Sequence, residues 1–167
     1  MNTTHPDMPS NEPRREVDRW LANYSEDHRN PTNIFVHWIC VPLILWTVIA
    51  LLWVVPVPAV LGRAGFWAGL AMVVAVIFYL RLSRPLGFAM LATFVILGLI
   101  TEALYRALGS THLLWLAVMV FVLAWIGQFV GHKIEGRKPS FLTDLVYLLI
   151  GPAWIVAKIM RKSGIAY

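Results

Sequence analysis

A chain of 167 residues is one domain by length. Hydrophobic residues make up 59% of it and charged residues 14%, against roughly 45–50% and about 25% in soluble domains; an ordinary water-soluble domain is excluded and a chain embedded in a bilayer is expected. The formal charge of +5 and the pI near 9.7 would suit nucleic acid only if the basic residues shared a soluble face. They flank apolar segments instead, so nucleic acid is excluded as a partner and membrane lipid is expected.

Residues 1–12 form a polar tail with Pro6 and Pro9 and no periodicity, read as disordered, and residues 13–167 form a single membrane-embedded helical domain. The first 32 residues contain no apolar core, so no signal peptide is expected. After Pro13, the residues Val17, Trp20, Leu21 and Tyr24 recur at helical spacing. They predict a short amphipathic helix, lying in the membrane interface or packed on the protein as a solvent-facing helix; the spacing leaves both open.

Four apolar runs follow at 34–55, 66–82, 88–105 and 113–130. Each has about the 17–25 residues that carry a helix across the hydrocarbon core. Pro56 and Pro58, the Arg84-Pro85-Leu86-Gly87 stretch, and Gly109-Ser110 separate them. A fifth run, 141–159, has Gly151-Pro152 at its middle. If it re-enters or lies in the interface, every basic residue except Arg63 and Arg106 falls on one side of the membrane; by the positive-inside rule that side is the cytoplasm. The predicted fold is therefore all-α: a polytopic bundle of four transmembrane helices, an N-terminal amphipathic helix and a C-terminal re-entrant or interfacial segment. The expected location is the inner membrane of a bacterium or the endoplasmic reticulum of a eukaryote. The single Cys40 sits in an apolar run and forms no internal disulfide.

Two polar islands interrupt this pattern, and an even number of crossings puts them on the same face. Gln128, His132 and Glu135 stand at i, i+4 and i+7 on one helical face. Asn33 and His37 share a face at the start of the first run, just after His28. An unpaired polar group facing hydrocarbon costs several kcal/mol, so these faces are expected to look inward. Three imidazoles converging there point to a metal site of His28, His37 and His132, suited to Zn, Fe or Cu, the other reading being hydrogen-bonded structural histidines. Asn33 and Gln128 then orient an imidazole or a bound water, or serve as a helix cap and an interhelical hydrogen bond. Glu135 completes a His-and-carboxylate set favouring non-haem Fe(II), or pairs with Arg137 or Lys138. Arg29, Arg137 and Lys138 ring the mouth, where they attract a carboxylate or phosphate headgroup or anchor the chain to lipid. Gly127 and Gly131 form a small-xxx-small pair that lets another helix approach His132. Glu102 most simply pairs with Arg106 at i+4, far from the histidines. There is no Gly-rich phosphate loop, nucleophile elbow, CxxC or HExxH, and there are too few histidines for the multiple boxes of di-iron membrane desaturases.

The segments His28-Arg29-Asn30-Pro31-Thr32-Asn33 with His37 and Val41-Pro42, then Trp125-Ile126-Gly127-Gln128-Phe129-Val130-Gly131-His132 with Arg137-Lys138-Pro139, resemble the Mpo1-like family of 2-hydroxy fatty acid dioxygenases, small membrane proteins whose characterised eukaryotic member acts in phytosphingosine breakdown. The position of Glu135 relative to His132, and Asp27 before His28 in place of a second histidine seen in some members, depart from that pattern. The resemblance implies an Fe2+-dependent alpha-oxidation in which a 2-hydroxy fatty acid and dioxygen are the substrates and the chain loses one carbon. It implies His28, His37 and His132 as ligands, catalytic parts for Asn33, Gln128 and Glu135, and headgroup attraction by Arg137 and Lys138. The alternative from another class is a non-catalytic membrane protein that binds lipid headgroups or a partner through its polar cytoplasmic face.

Overall fold

The computed structural model describes residues 15–136 and 146–167. The predicted tail, Arg137, Lys138 and Pro139 lie outside the described residues. The described residues are all-α, with α1 at Glu16–Glu26, α2 at Pro31–Trp53, α3 at Phe66–Leu82, α4 at Arg84–Glu135 and α5 at Tyr147–Lys162, plus a single 3-10 turn at Ala59–Leu61.

Local chemistry sets these boundaries. Asn30 caps α2 by accepting from the Thr32 N–H at 2.9 Å, and Pro31 occupies the first turn, where its missing N–H costs nothing. Ser83, in extended conformation, ends α3 and caps α4, so one residue reverses the chain. Gly136 closes α4 at a φ of 73°, its N–H reaching the carbonyls of His132 and Lys133. Inside α4, Gly109 adopts φ 75° and ψ 170°, outside helical geometry, and divides the element into two arms. The sequence break at Gly109-Ser110 is thus a one-residue interruption of a continuous element.

The arms and helices run antiparallel. The start of α2 lies against the end of α4, with Asn33 beside Gly131 and Cys40 beside Gly127. Deeper along the pair, Trp46 and Ala50 pack with Leu113 and Ala117. At the far end, Trp53 covers Gly65 and approaches Gly98. The predicted small-residue pair is what brings α2 in: a Cβ on Gly127 would meet Cys40 Sγ at 2.7 Å, and one on Gly131 would collide with Asn33 Oδ1.

Two helices, α2 and α4, are long and apolar enough to cross a membrane, and α3 is a shorter apolar helix. Only 33% and 22% of their most apolar windows are buried, unlike core helices of a soluble protein. Large apolar side chains such as Phe35, Phe88, Leu99, Trp115 and Leu123 face outward, while Asn33, His37, Thr47, Thr101 and Gln128 are inside. An apolar exterior of that extent suits contact with lipid or with a partner.

The amphipathic helix α1 buries Val17, Leu21 and Tyr24. These side chains meet protein: α1 packs on α5, where Trp20 lies edge-on to Tyr147 at 5.4 Å and Trp154 Nε1 donates to Ser25 Oγ at 2.8 Å. Of the two sequence readings, packing on the protein is the one that accounts for this face. α5 carries Pro152 in its interior and is buried from Ile150 to Ile155. It is tied to α3 by Tyr79, whose hydroxyl donates to the Leu149 carbonyl at 2.7 Å.

Candidate metal centre

Three separate segments deliver the histidines. His28 follows α1, His37 lies one turn after Asn33 in α2, and His132 sits in the last turn of α4, held there by the Gly136 cap. All are nearly inaccessible, at 3%, 1% and 4% exposure. Their ring centroids are 4.2 Å apart for His28 and His37, 5.2 Å for His28 and His132, and 4.9 Å for His37 and His132. One ring nitrogen from each lies within 4.8 Å of the others, and among the described residues this is the group of potential ligands that converges.

Tautomers follow from the hydrogen bonds. His28 Nδ1 is 2.6 Å from the Tyr24 carbonyl and His37 Nδ1 is 2.9 Å from the Asn33 carbonyl. A carbonyl only accepts, so each Nδ1 carries the hydrogen. In the neutral rings both Nε2 atoms then present lone pairs, and they face one another at 2.9 Å. Two lone pairs in that position repel unless a cation lies between them. A shared proton would charge the pair, and burial opposes this: it holds the pKa of His28 below the ordinary histidine value, although the Tyr24 carbonyl, Asp27 and Glu135 pull the other way. A metal ion held by both nitrogens would replace that repulsion with attraction. His132 stands farther off, and its Nδ1 is buried without a hydrogen-bond partner among the described residues. The donor set therefore fits a metal of the imidazole-binding class.

The surroundings hold the rings in place. Tyr24 stacks on His28 with centroids 4.2 Å apart and an interplanar angle of 19°. Its hydroxyl lies against α5 at Gly151, where a Cβ would come within 3.0 Å. Burial raises the Tyr24 pKa, with a further contribution from Asp27, so the phenol stays protonated. Trp154 packs on Tyr24 and His28, and Lys158 Nζ sits 3.6 Å over the Trp154 ring.

The other predicted residues divide. Gln128 is buried, lines the cavity below the histidines, and its Nε2 has no partner among the described residues. Asn33 orients His37 through its backbone carbonyl, while its side-chain amide donates to Glu135 Oε2 at 2.9 Å. Glu135 also accepts from the backbone N–H of Arg29 at 3.0 Å and of Asn30 at 2.9 Å. Its carboxylate thereby fastens the end of α4 to the start of α2, a role that neither metal ligation nor pairing with Arg137 or Lys138 anticipated. Sequence reasoning missed Tyr24, Trp154 and the Gly151-Pro152 wall as parts of the centre. For Tyr24 there was one usable signal, its i, i+4 spacing to His28.

The cavity has a volume of about 310 Å³ and lies between α2, the second arm of α4 and α5. The histidines, Gln128 and Tyr24 line one end, and the remaining lining is apolar or aromatic. An apolar cleft with a few convergent polar groups is the usual form of a small-molecule site.

No solved structure matches the chain. A curated relative, the 2-hydroxy-palmitic acid dioxygenase MPO1 of Saccharomyces cerevisiae, is 31% identical over 146 residues, covering 86% of this chain and 79% of the relative. The profile of the family described as 2-hydroxy-palmitic acid dioxygenase Mpo1-like matches residues 14–163, and the chain belongs to that family.

Proposed function

We propose that the chain is a multi-pass membrane enzyme that binds iron(II) through His28, His37 and His132 and carries out the alpha-oxidation of 2-hydroxy fatty acids. The observation that carries this reading is the pair of neutral imidazoles whose lone pairs face each other at 2.9 Å in a buried pocket. Family membership supplies the reaction class. The balance closes with dioxygen as the sole oxidant: the bond between C1 and C2 breaks, C2 becomes the carboxyl of the shortened acid, C1 leaves as carbon dioxide, and water takes up the remaining hydrogen and oxygen.

Bound iron would supply redox activation of dioxygen and a Lewis-acid grip on the substrate. The protein's own groups do the rest. Gln128 Nε2 offers a donor to the acid's carboxylate or hydroxyl, and Tyr24 offers a phenol from the opposite wall. Asn33 and Glu135 act by position, one by orienting His37 and the other by holding α2 against α4. Apolar walls keep water away from the reacting carbon. Arg137 and Lys138, which follow α4 in the chain, attract the headgroup by their charge.

In this reading the membrane passes are α2, α3 and the two arms of α4, with the histidines at the cytoplasmic end. The outward-facing apolar side chains support it, as does the bias in basic residues. α3, at 17 residues, is about 25 Å long, near the lower limit for a crossing. Membranes containing the protein, incubated aerobically with a 2-hydroxy fatty acid, are expected to yield the acid one carbon shorter by mass spectrometry. Failure of iron-loaded protein to consume any 2-hydroxy acid would overturn the proposal.

A further inference from the structure

The cavity extends well past the histidines, and its walls are two matched stripes. On α2, His37 is followed on one face by Val41, Ile44, Leu45 and Val48; on the second arm of α4, His132 is followed in the opposite chain direction by Gln128, Trp125 and Phe121. In both stripes the end residues are eleven positions apart, which at about 1.5 Å per residue makes a groove about 16 Å long. α5 supplies the third wall with Leu148, Gly151 and Pro152. The groove is polar only at the histidine end. At the other end Val48 is 42% exposed, so the groove opens sideways there.

We infer that this groove holds the acyl tail of the substrate acid, with its head at the histidines and its tail leaving through a lateral portal formed by Val48 and Phe121. The inference rests on the proposed reaction and goes further, because it fixes where the tail lies and which tails are accepted. The dimensions favour a single acyl chain as occupant. One leaflet of the hydrocarbon core is about 15 Å deep, nearly the length of the groove, so an acid resting in that leaflet can slide in from the side at constant depth. An extended chain with C–C bonds of about 1.5 Å advances about 1.25 Å per carbon, so the groove takes about a dozen carbons. A longer tail passes out through the portal into lipid, an apolar medium that imposes no penalty on it. The enzyme should therefore tolerate long tails and reject substituents near the head, where α2, α4 and α5 close around the chain.

Two measurements test this. In the first, metal-free protein in detergent is photolysed with 2-hydroxy acids carrying a diazirine either beside C2 or about a dozen carbons away, and the adducts are mapped by mass spectrometry. The distal probe is expected on Val48 or Phe121 and the proximal probe near Gln128 and Tyr24. In the second, Val48→Trp narrows the portal. Turnover of an acid of about eighteen carbons should fall at least about tenfold, while an acid of about eight carbons and the bound iron change by less than about twofold. Val48→Phe, a smaller plug, should give an intermediate loss. Distal adducts confined to the outer faces of α3 or the first arm of α4 would overturn the inference, as would equal turnover of long and short acids by both variants. Turnover with no groove adducts removes the groove and leaves the reaction standing. Groove adducts on a protein with no turnover remove the reaction and leave a fatty-acid site.

Discussion

The two ends of the bundle both carry ionisable side chains and use them in opposite ways. Toward the Gly109 end, Glu102 and Arg106 pair at 2.6 Å one turn apart on a single helix, and the Arg106 side chain is 70% exposed. At the other end, His28 and His37, nine residues apart, converge with the distant His132 with almost no exposure. The first arrangement needs no tertiary structure, and an exposed ion pair contributes little to stability. The second needs the α1–α2 turn, the start of α2 and the end of α4 to meet, and it takes three polar rings out of solvent. Buried polar clusters of that cost persist where a ligand or a reaction uses them.

Substitutions should expose this contrast. His37→Ala removes one of the two facing lone pairs and is expected to abolish turnover of 2-hydroxy acids; measurable activity above the background of empty membranes would break the comparison. Glu135→Ala releases the backbone of Arg29 and Asn30 and the amide of Asn33, so His28 and His37 lose their fixed approach to His132. Metal affinity should fall by about 10- to 100-fold, the range typical of residues that support ligands, with Glu135→Gln retaining part of the grip. Competition with a chelator measures it.

Acid should act more gently and in one direction. Burial disfavours the charged form of His28, so the unfolded chain takes up this proton near the ordinary value of 6.5 and the folded chain only at lower pH. Stability and metal occupancy are then full above about pH 6.5 and decline as the pH falls below it. Thermal denaturation and metal content measured across that range should fall together. The smallest effect belongs to the far end, where Glu102→Gln should leave metal content and turnover within about twofold of the parent, because an exposed i, i+4 pair is nearly neutral. A large loss there would mean that the two ends are coupled.

Much of this was legible in the chain because helical spacing is local. The 3.6-residue period puts Gln128 over His132 and Asn33 before His37, and the apolar runs delimit α2, α3 and both arms of α4. Gly127 and Gly131 announced the close approach of another helix. What stayed hidden depends on contacts across the sequence. Glu135 shows its three donors only once α2 and α4 are side by side, and no spacing rule links Tyr24 to Gly151. α5 was readable as an interrupted apolar run, but its use as a cavity wall follows from packing against α1 and α2.

The most direct measurement is the iron content of anaerobically prepared, iron-replete protein alongside a variant with His28, His37 and His132 all replaced by Ala. One iron per chain in the parent and none in the variant is the result expected. A parent without iron, or a variant that keeps it, would contradict the assignment of these three rings as the metal centre.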